Sequence, residues 1–426
     1  MSDETPTPRR AIVAAAAGNL LEAYDFAVYG YFAVTLSRLF FPTGDPTTSL
    51  LAAVATFGVG FAMRPLGAVV LGTLADRRGR KAALSITIFA MAAGTALLGI
   101  VPTYDRIGVW APVLVVLARL VQGFSAGGEV GTATVFLAEH AHPSRRGFVT
   151  SWQQASQATA LLLGSLLGAA LNAWLPPAAL ESWGWRVPFL LGLLIGPVGY
   201  YLRSRTTEPA QFTAARREPG GSVLVEAFRS HPRGIAAGFA ITITWTVATY
   251  FFLVNLPTYA QRQLHLSAAQ ALAATSAALL VVVVLAPCFG SLSDRTGRRP
   301  LLIGAAAVLV VAVVPATALL NAAPSIWSFL AFQVLFAVPI AAFTGTAPAA
   351  MAEACPPQVR STSVSVGYNV AVAVFGGFAP FVATWLVAAT GNPVAPAWYV
   401  VATGVLSLSL IAALYAEPAR RTAVAN

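Results

Sequence analysis

Five ionisable side chains lie inside long apolar stretches of this sequence, where charge is costly. They comprise three acids and two arginines: Glu22, Asp25, Arg64, Arg119 and Glu129. Each charge inside a hydrocarbon layer costs about 2.5–3.5 kcal/mol, so the five together would cost on the order of 10 kcal/mol if unpaired. These residues must therefore pair with one another or face a wet cavity.

The three carboxyls are candidates for carrying protons. A carboxyl group that is removed from water can load and release a proton near neutral pH, which suits coupling to a proton gradient. The alternative for each of Glu22, Asp25 and Glu129 is a structural ion pair with Arg119 or Arg64. Both interpretations stay open for each acid, and we expect at least one of the three to carry protons.

The two arginines are candidates for binding an acidic substrate. A guanidinium holds a carboxylate through two parallel hydrogen bonds, so Arg119 is predicted to anchor a substrate carboxylate. Charge pairing within its own half of the protein is the alternative. Arg64 precedes Pro65 and lies nearer the cytoplasmic end of its predicted helix. A gate, a substrate contact, and a lipid-headgroup or helix-end role all remain open for Arg64.

Helical spacing places these groups on polar stripes. Glu22 and Asp25 are i,i+3 neighbours, and Arg119, Gln122 and Glu129 fall within a sector about 80° wide at about 100° per residue. Polar residues on these and neighbouring helices are predicted to contact the substrate. That set is Arg119, Arg64, Asn19, Tyr24, Gln122, Gln153, Gln157 and Asn369.

The second half of the chain has no such buried charges in its predicted helices. Between Arg233 and Glu417, every Asp, Glu, Lys, Arg and His falls in a predicted loop or at a helix end. The helices there offer hydroxyls and an amide instead, as at Thr242, Tyr368 and Asn369. Titration within the membrane is therefore predicted to belong to the first half.

A dense charged loop occurs twice in the chain. The stretch from Gly72 to Lys81 is repeated from Gly290 to Arg299, at an offset of 218 residues. The two copies share Gly, Leu, Asp-Arg, Gly and a closing basic pair. A second pair of loops, around Glu139 and Glu353, repeats at an offset of 214. Repeats at about half the chain length predict two related halves.

The repeated loops are predicted to form a cytoplasmic gate. Their glycines allow close helix approach, their aspartates can face the positive N-terminus of a helix in the other half, and their arginines can bridge to nearby acids. The alternative is that the loops only anchor the topology by positive charge. The predicted gate residues are Gly72, Asp76, Arg80, Gly290, Asp294 and Arg298.

The composition is typical of a membrane protein. The 426 residues are 57% hydrophobic and 10% charged, with a mean hydropathy of +0.72, whereas a soluble domain carries about 25% charged residues. Most of the 26 basic residues lie in one alternating set of loops. The net charge of +10 therefore follows the positive-inside rule, which places both termini in the cytoplasm, and does not indicate nucleic-acid binding. We expect no disulfide between Cys288 and Cys355.

Apolar runs that are long enough to span a bilayer, which takes about 20 residues, occur about twelve times. They predict an all-α membrane protein with twelve transmembrane helices in two pseudo-symmetric six-helix lobes. The lobes are residues 1–203 and 233–426, and a cytoplasmic linker covers 204–232. The predicted helices 1 to 12 are, in order, 11–40, 50–74, 82–101, 111–139, 148–172, 186–203, 234–258, 267–290, 300–321, 325–351, 362–389 and 396–416.

Two short motifs suggest other functions but lack the required context. Gly123-Phe-Ser125-Ala-Gly127 matches a hydrolase nucleophile elbow, yet it lies inside a long apolar helix with no strand before it. His140 and His142 form a pair with no further cluster of metal ligands. We therefore predict that the protein is not an enzyme and has no metal site or cofactor.

The charged loops and their neighbours resemble the major facilitator superfamily. The G-x-x-x-D-R-x-G-R-[KR] pattern, present twice, is similar to the signature of that superfamily. Three further stretches resemble its metabolite:proton symporter branch: Gly18–Phe26, Gly60–Gly67 and Arg119–Glu129. The resemblance implies a twelve-helix bundle that alternates access about a central cavity, with inward proton flow driving uptake.

Within that branch, several stretches look similar to bacterial citrate/tricarballylate symporters: Ala111-Pro112 leading towards Arg119, Thr150–Gln157, Thr390–Asn392 and Ala397–Tyr399. This resemblance implies import of citrate or a related tri- or dicarboxylate into a bacterial cell by a monomer of the inner membrane. Relatives that carry 2-oxoglutarate, shikimate, or a zwitterion such as betaine or proline share the frame. Val130 stands where those relatives often have a tryptophan. A non-transporting membrane sensor or enzyme is the third hypothesis.

Overall fold

The structure is a computed structural model that describes residues 8–78, 80–193, 228–229 and 231–415. The side chains at 8–18, 21, 72, 75–78, 80–85 and 129 also lie outside the description. Helices joined by short turns make up nearly all of these ranges, which contain no strand. Most of the predicted linker over 204–232, and most of predicted helix 6, lie outside the described residues.

The helices of the described ranges occupy all twelve predicted positions. Those of the first half are α1 Pro8–Tyr31, α2 Ala33–Phe40, α3 Pro46–Ala62, α4 Arg64–Arg78, α5 Arg80–Ile100, α6 Trp110–Ala126, α7 Glu129–His140, α8 Arg146–Trp174 and α9 at 186–193. Those of the second half are α10 Pro232–Val247, α11 Leu256–Gln263, α12 Ala268–Thr296, α13 Arg298–Ala322, α14 Ile326–Glu353, α15 Arg360–Ala371, α16 Ala379–Thr390 and α17 Ala395–Leu414.

Length and composition agree with a protein embedded in a bilayer. Within the described ranges, nine spans are long and apolar enough to cross a membrane. Predicted helices 1, 3 and 6 are represented by α1 with α2, by α5 and by α9. The predicted all-α membrane architecture is confirmed.

Two predicted helices of the first half are broken next to ionisable residues. Helix 2 breaks at Met63, directly before Arg64 and Pro65, because proline has no backbone N–H to continue the helical ladder. Helix 4 breaks at Gly127–Gly128, since two successive glycines weaken a helix, and Glu129 begins the next one. The predicted span over 111–139 is present as Trp110–His140 with this interruption inside it, and the side chain of Glu129 lies outside the described residues.

Two π-helical segments, Ala248–Asn255 and Val372–Gly376, join the helices of the second half. A π-turn leaves backbone carbonyls without their usual helical donors. Tyr31 of the first half donates from its Oη to the Leu253 carbonyl at 3.0 Å. The Phe375 carbonyl accepts from another tyrosine hydroxyl, at 2.6 Å, within the second half. The first of these π-segments is thereby bonded across the two halves.

The α3–α4 pair and α6 approach each other until backbone meets backbone. A Cβ added at Gly123 would lie 1.6 Å from the Gly60 carbonyl oxygen, and one at Gly127 would lie 2.2 Å from the Arg64 carbonyl oxygen. The carbonyl oxygen of Arg119 also lies close to α3, because a Cβ added at Gly60 would be 3.1 Å from it. Glycine is therefore required here, and it brings the two arginines into one layer of the bundle.

Replacing Gly123 with alanine is expected to destabilise the protein. The new methyl overlaps backbone atoms of Gly60, so α3 and α6 must separate, at a cost of about 1–3 kcal/mol. Thermal unfolding of the purified protein in detergent measures the effect as a lower melting temperature. The matched control is Gly304→Ala in α13, where no atom lies within 4 Å of the new Cβ. Equal melting temperatures would show that the two helices tolerate the methyl.

Candidate functional site

One face of α1 carries the centre of the candidate site. Glu22, Asp25, Phe26 and Tyr29 follow the spacing that places side chains on one side of a helix. All four are buried, with relative exposures of 4%, 0%, 2% and 0%. The two acids therefore lie inside the protein, where a charge is stable only if partners compensate for the lost water.

Arg64, the first residue of α4, pairs with the first of these acids. Its Nη2 donates to Glu22 Oε1 in a buried ion pair. Its Cζ lies 4.8 Å from the centre of the Phe26 ring and 4.5 Å from the centre of the Phe61 ring. Tyr368 of the second half lies close enough to interact with the charges of the pair. The Glu22–Arg64 pair thus lies at the boundary between the two halves.

Arg119, on α6, is surrounded by aromatic rings. Its Cζ lies 4.1 Å from the ring centre of Phe26, 4.7 Å from that of Tyr29 and 5.5 Å from that of Phe57. A cation over an aromatic face gains about 2 kcal/mol when desolvated, so the rings offset part of the burial cost. Nη1 donates to Gln122 Oε1 at 2.9 Å. Nε and Nη2 find no acceptor in the part of the chain that the structure describes.

Asp25 is connected to Arg119 through one amide side chain. Its Oδ2 accepts from Thr95 Oγ1 and, at 3.3 Å, from Gln122 Nε2. Its Oδ1 has no hydrogen-bond donor among the described residues. The sequence did not single out Thr95, because a lone threonine in an apolar helix usually bonds its own backbone, as this one also does at the Met91 carbonyl. Gln122 thus connects the carboxyl of Asp25 to the guanidinium of Arg119.

Three other predicted polar residues connect helices within the first half. Asn19 Nδ2 donates to the Gln153 carbonyl at 3.2 Å, and Tyr24 Oη donates to the Pro188 carbonyl at 3.0 Å. The side chain of Gln153 donates to the Val130 carbonyl at 3.2 Å. In this arrangement these side chains hold the bundle together, and their contact with a substrate stays a prediction.

Asn369 joins the second half to the break in predicted helix 4. Its Nδ2 donates to the Gly127 carbonyl at 2.6 Å and to the Ser365 carbonyl at 2.9 Å. Gln157 is buried near Tyr368, on the same boundary between the halves. The Glu129 side chain lies outside the described residues, so its predicted role in proton transfer stays a prediction.

The second repeated loop closes one end of the bundle, here called the charged face. Asp294 accepts from the backbone N–H groups of Gly147 and Phe148, at 2.8 and 3.0 Å. These groups lie at the N-terminus of α8, where the helix dipole favours a carboxylate. Arg298 pairs with Asp294 at 2.8 Å and with Glu353 at 3.2 Å. Charges of the second half thus hold a helix of the first.

Further ion pairs join the halves at the same face. Arg146 lies 3.5 Å from Glu353, and Arg360 lies 3.7 Å from Glu139. Gly290 sits beneath them, where a Cβ would lie 2.6 Å from the Gly147 carbonyl oxygen. Three predicted gate residues are described by their backbone only, so their contacts stay outside the description: Gly72, Asp76 and Arg80.

Described residues of the two halves also contact each other at the opposite face. The Ser165 and Ser276 hydroxyls share a buried hydrogen bond of 2.7 Å. Arg262 Nη2 donates to the Pro46 carbonyl at 2.7 Å, and Tyr31 bonds the π-segment of the second half. Contacts between the halves therefore occur on both sides of the cluster around Phe26, whose side chains are buried.

The charged face is expected to open more readily when Asp294 is replaced by asparagine. The change removes the charge at the N-terminus of α8 and weakens the pair with Arg298, which shifts the equilibrium by about five- to tenfold. A cysteine at Ser151, which is fully buried against Gly290, reports the opening through its rate of maleimide labelling in a chain whose native cysteines are serines.

The control for this labelling is Asp45→Asn, which removes a helix-capping carboxylate on the opposite face. It should leave the labelling rate unchanged. Equal rates in Asp294→Asn and in the parent chain would contradict a gating role for Asp294.

Residues 16–315 and 247–426 of the chain match the family model of the Major Facilitator Superfamily. The fold is similar to a solved structure of the xylose transporter from E. coli in a partially occluded inward open conformation. That likeness has a TM-score of 0.77 at 17% sequence identity and covers 96% of this chain and 98% of the transporter. At this level of identity it concerns the fold alone.

Curated transporters resemble the chain over most of its length. It is 39% identical over 415 residues to the citrate-proton symporter of Klebsiella pneumoniae. The matched region covers 97% of this chain and 93% of the symporter. It is 35% identical over 412 residues to the glycine betaine/proline/ectoine/pipecolic acid transporter of Dickeya dadantii strain 3937. That match covers 94% of this chain and 82% of the transporter.

Proposed function

The chain belongs to the Major Facilitator Superfamily, and from this membership we propose that it is a proton-coupled symporter that imports citrate or a related tri- or dicarboxylate. It is a multi-pass membrane protein, and its relatives are named transporters rather than enzymes. We place it in a bacterial inner membrane as a monomer. The basic loops favour an orientation with both termini and the charged face in the cytoplasm.

The observation that carries this proposal is the state of the two buried guanidiniums. Arg119 has two donor nitrogens without acceptors among the described residues, and Arg64 has one, its Nε. A buried donor without a partner is unfavourable, and a carboxylate supplies two acceptor oxygens in the geometry that a guanidinium prefers. The identity to a citrate-proton symporter supports the same substrate class.

The charges of the cluster give a reason for coupling to protons. Glu22 and Asp25 balance Arg64 and Arg119, so an incoming carboxylate adds uncompensated negative charge to a desolvated site. Proton uptake by a carboxyl of the cluster restores the balance, and Asp25 is our first candidate because Gln122 links it to Arg119. A membrane potential of about 100 mV opposes entry by about 2.3 kcal/mol per negative charge. For this potential to drive uptake rather than oppose it, each citrate must enter with more protons than its own negative charge.

We propose that transport proceeds by alternating access, and contacts between the halves at two opposite faces support this. The charged face is held mainly by ion pairs around Arg298, and the opposite face by hydrogen bonds such as Ser165 to Ser276. Either set can break while the other persists, because the sets share no residue. The cluster between them would then meet water from one side at a time.

Transport of a zwitterion is the second candidate, since a betaine/proline transporter is 35% identical to the chain. Such substrates carry a quaternary or secondary ammonium, which proteins recognise with aromatic faces. Here the guanidiniums of Arg64 and Arg119 already lie over the rings of Phe26, Phe57 and Phe61. Because these rings already face guanidiniums, the site favours a substrate without an ammonium group, such as a di- or tricarboxylate.

Uptake of labelled citrate into proteoliposomes tests the proposal. With acid outside, the wild-type protein is expected to accumulate citrate above its equilibrium level. Asp25→Asn keeps the size of the side chain but replaces the carboxyl with an amide, which cannot take up a proton. Accumulation should therefore be lost, while citrate exchange without a gradient persists. Asp105→Asn, on an exposed turn, is the control and should accumulate normally. Wild-type uptake that ignores the gradient would contradict the coupling.

Replacing Arg119 with glutamine separates the two substrate classes. Loss of a charge-assisted hydrogen bond costs about 1.5–3 kcal/mol, so citrate affinity should fall by about ten- to a hundredfold. The measurement is the citrate-dependent rise in melting temperature, because a ligand stabilises the folded state by mass action. Arg38→Gln, at a side chain that is 56% exposed, is the control. Stabilisation by betaine that survives Arg119→Gln, with no response to citrate in the wild type, would favour the zwitterion.

A further inference from the structure

We propose that Phe26 is a positioning residue that sets the spacing of the Arg64 and Arg119 guanidiniums, so that the site selects acids with two carboxylates on a short carbon chain. This inference rests on the proposed transport of carboxylates and adds a determinant of their selection. The residue that sets this selection is an apolar ring, which neither binds the substrate through a hydrogen bond nor exchanges a proton.

The geometry that carries the inference is the sharing of one ring by two cations. The Phe26 ring centre lies 4.8 Å from Arg64 Cζ and 4.1 Å from Arg119 Cζ. Together these distances place the two guanidinium carbons no more than about 9 Å apart, although like charges repel each other. An aromatic ring reduces the cost of this approach, because its face attracts both cations.

The other rings of the cluster do not have this position. Phe61 lies under Arg64, whereas Tyr29 and Phe57 lie under Arg119. Among the described rings, Phe26 alone has both guanidiniums over it. Its orientation is fixed by ring contacts, at 4.4 Å between centroids with Phe61 and 6.1 Å with Phe57. Phe26 also follows Asp25 directly and lies one helical turn from Glu22, so the ring is rigid relative to both acids.

A fixed spacing of two guanidiniums selects substrates by their number of carboxylates. In a forked pair, the guanidinium and carboxylate carbons lie roughly 4 Å apart. Two carboxylates of one short acid can therefore reach both arginines at once, one in a fork at Nε and Nη2 of Arg119 and the other at Nε of Arg64, beside the pair with Glu22. The second pairing benefits from a high effective concentration. An acid with a single carboxylate can use one arginine only. A change in the spacing should therefore weaken the binding of acids with two carboxylates. The binding of acids with one carboxylate should stay nearly unchanged.

The test compares substitutions at Phe26 in the full-length protein in proteoliposomes. Phe26→Leu removes the ring, and Phe26→Met is the second ringless variant if the first does not elute as a single species in detergent. Phe26→Tyr restores an aromatic face. Phe40→Leu is the matched control, because Phe40 is a fully buried ring in α2 that packs on Trp185. The readouts are the KM for citrate and the inhibition of citrate uptake by succinate and by acetate.

The ringless variants are expected to raise the KM for citrate and the inhibitory concentration of succinate by about tenfold. Inhibition by acetate and the maximal rate should change by less than about twofold. Phe26→Tyr should restore the wild-type order of acids, and Phe40→Leu should keep it. Equal loss for all three acids, or the same shift in Phe40→Leu, would overturn the role of Phe26. Absence of citrate uptake by the wild type would instead overturn the proposed function.

Discussion

Charge held away from water is the constraint on which this structure depends. Two carboxyls and two guanidiniums of the first half are almost completely buried, and each isolated ion there would cost several kcal/mol. One face of α1 compensates for that cost. Glu22 pairs with Arg64, Asp25 reaches Arg119 through one amide, and Phe26 lies under both guanidiniums. Opposite charges and aromatic faces together allow these four groups to stay buried.

The backbone of the neighbouring helices delivers the arginines to this face. Gly60 and Gly123 let α3 and α6 touch, and the break at Met63 starts a new helix at Arg64. The break at Gly127 leaves a carbonyl that accepts a hydrogen bond from Asn369 of the second half. The helix that carries Arg119 is thus bonded to the other half at its end.

Much of this arrangement could be predicted from the sequence, because the penalty for charge in an apolar run is large. Because of that penalty, the acids Glu22 and Asp25 were expected to pair with Arg64 or Arg119. In the structure Glu22 pairs with Arg64, and Asp25 is linked to Arg119 through Gln122. The span of helix 4 was predicted, but its interruption at Gly127 and Gly128 was not, since a pair of glycines in an apolar run is also typical of close helix packing. Phe26 was not singled out, because the sequence spacing of an aromatic residue that contacts a cation is the same as that of an aromatic residue in an apolar core.

The repeat offers a further argument about why charge lies on one side. At the 214-residue offset of the second loop pair, Arg119 corresponds to Gln333, and at the 218-residue offset of the first, Phe57 corresponds to Thr275. The counterparts also contact each other, since Gln333 Nε2 donates to Thr275 Oγ1 at 2.8 Å. Equivalent positions therefore stay in contact in both halves, but the second pair is neutral and needs no counterion. Neutral packing at this position carries no cost of burying an ion, so between these equivalent positions that cost arises in the first half alone.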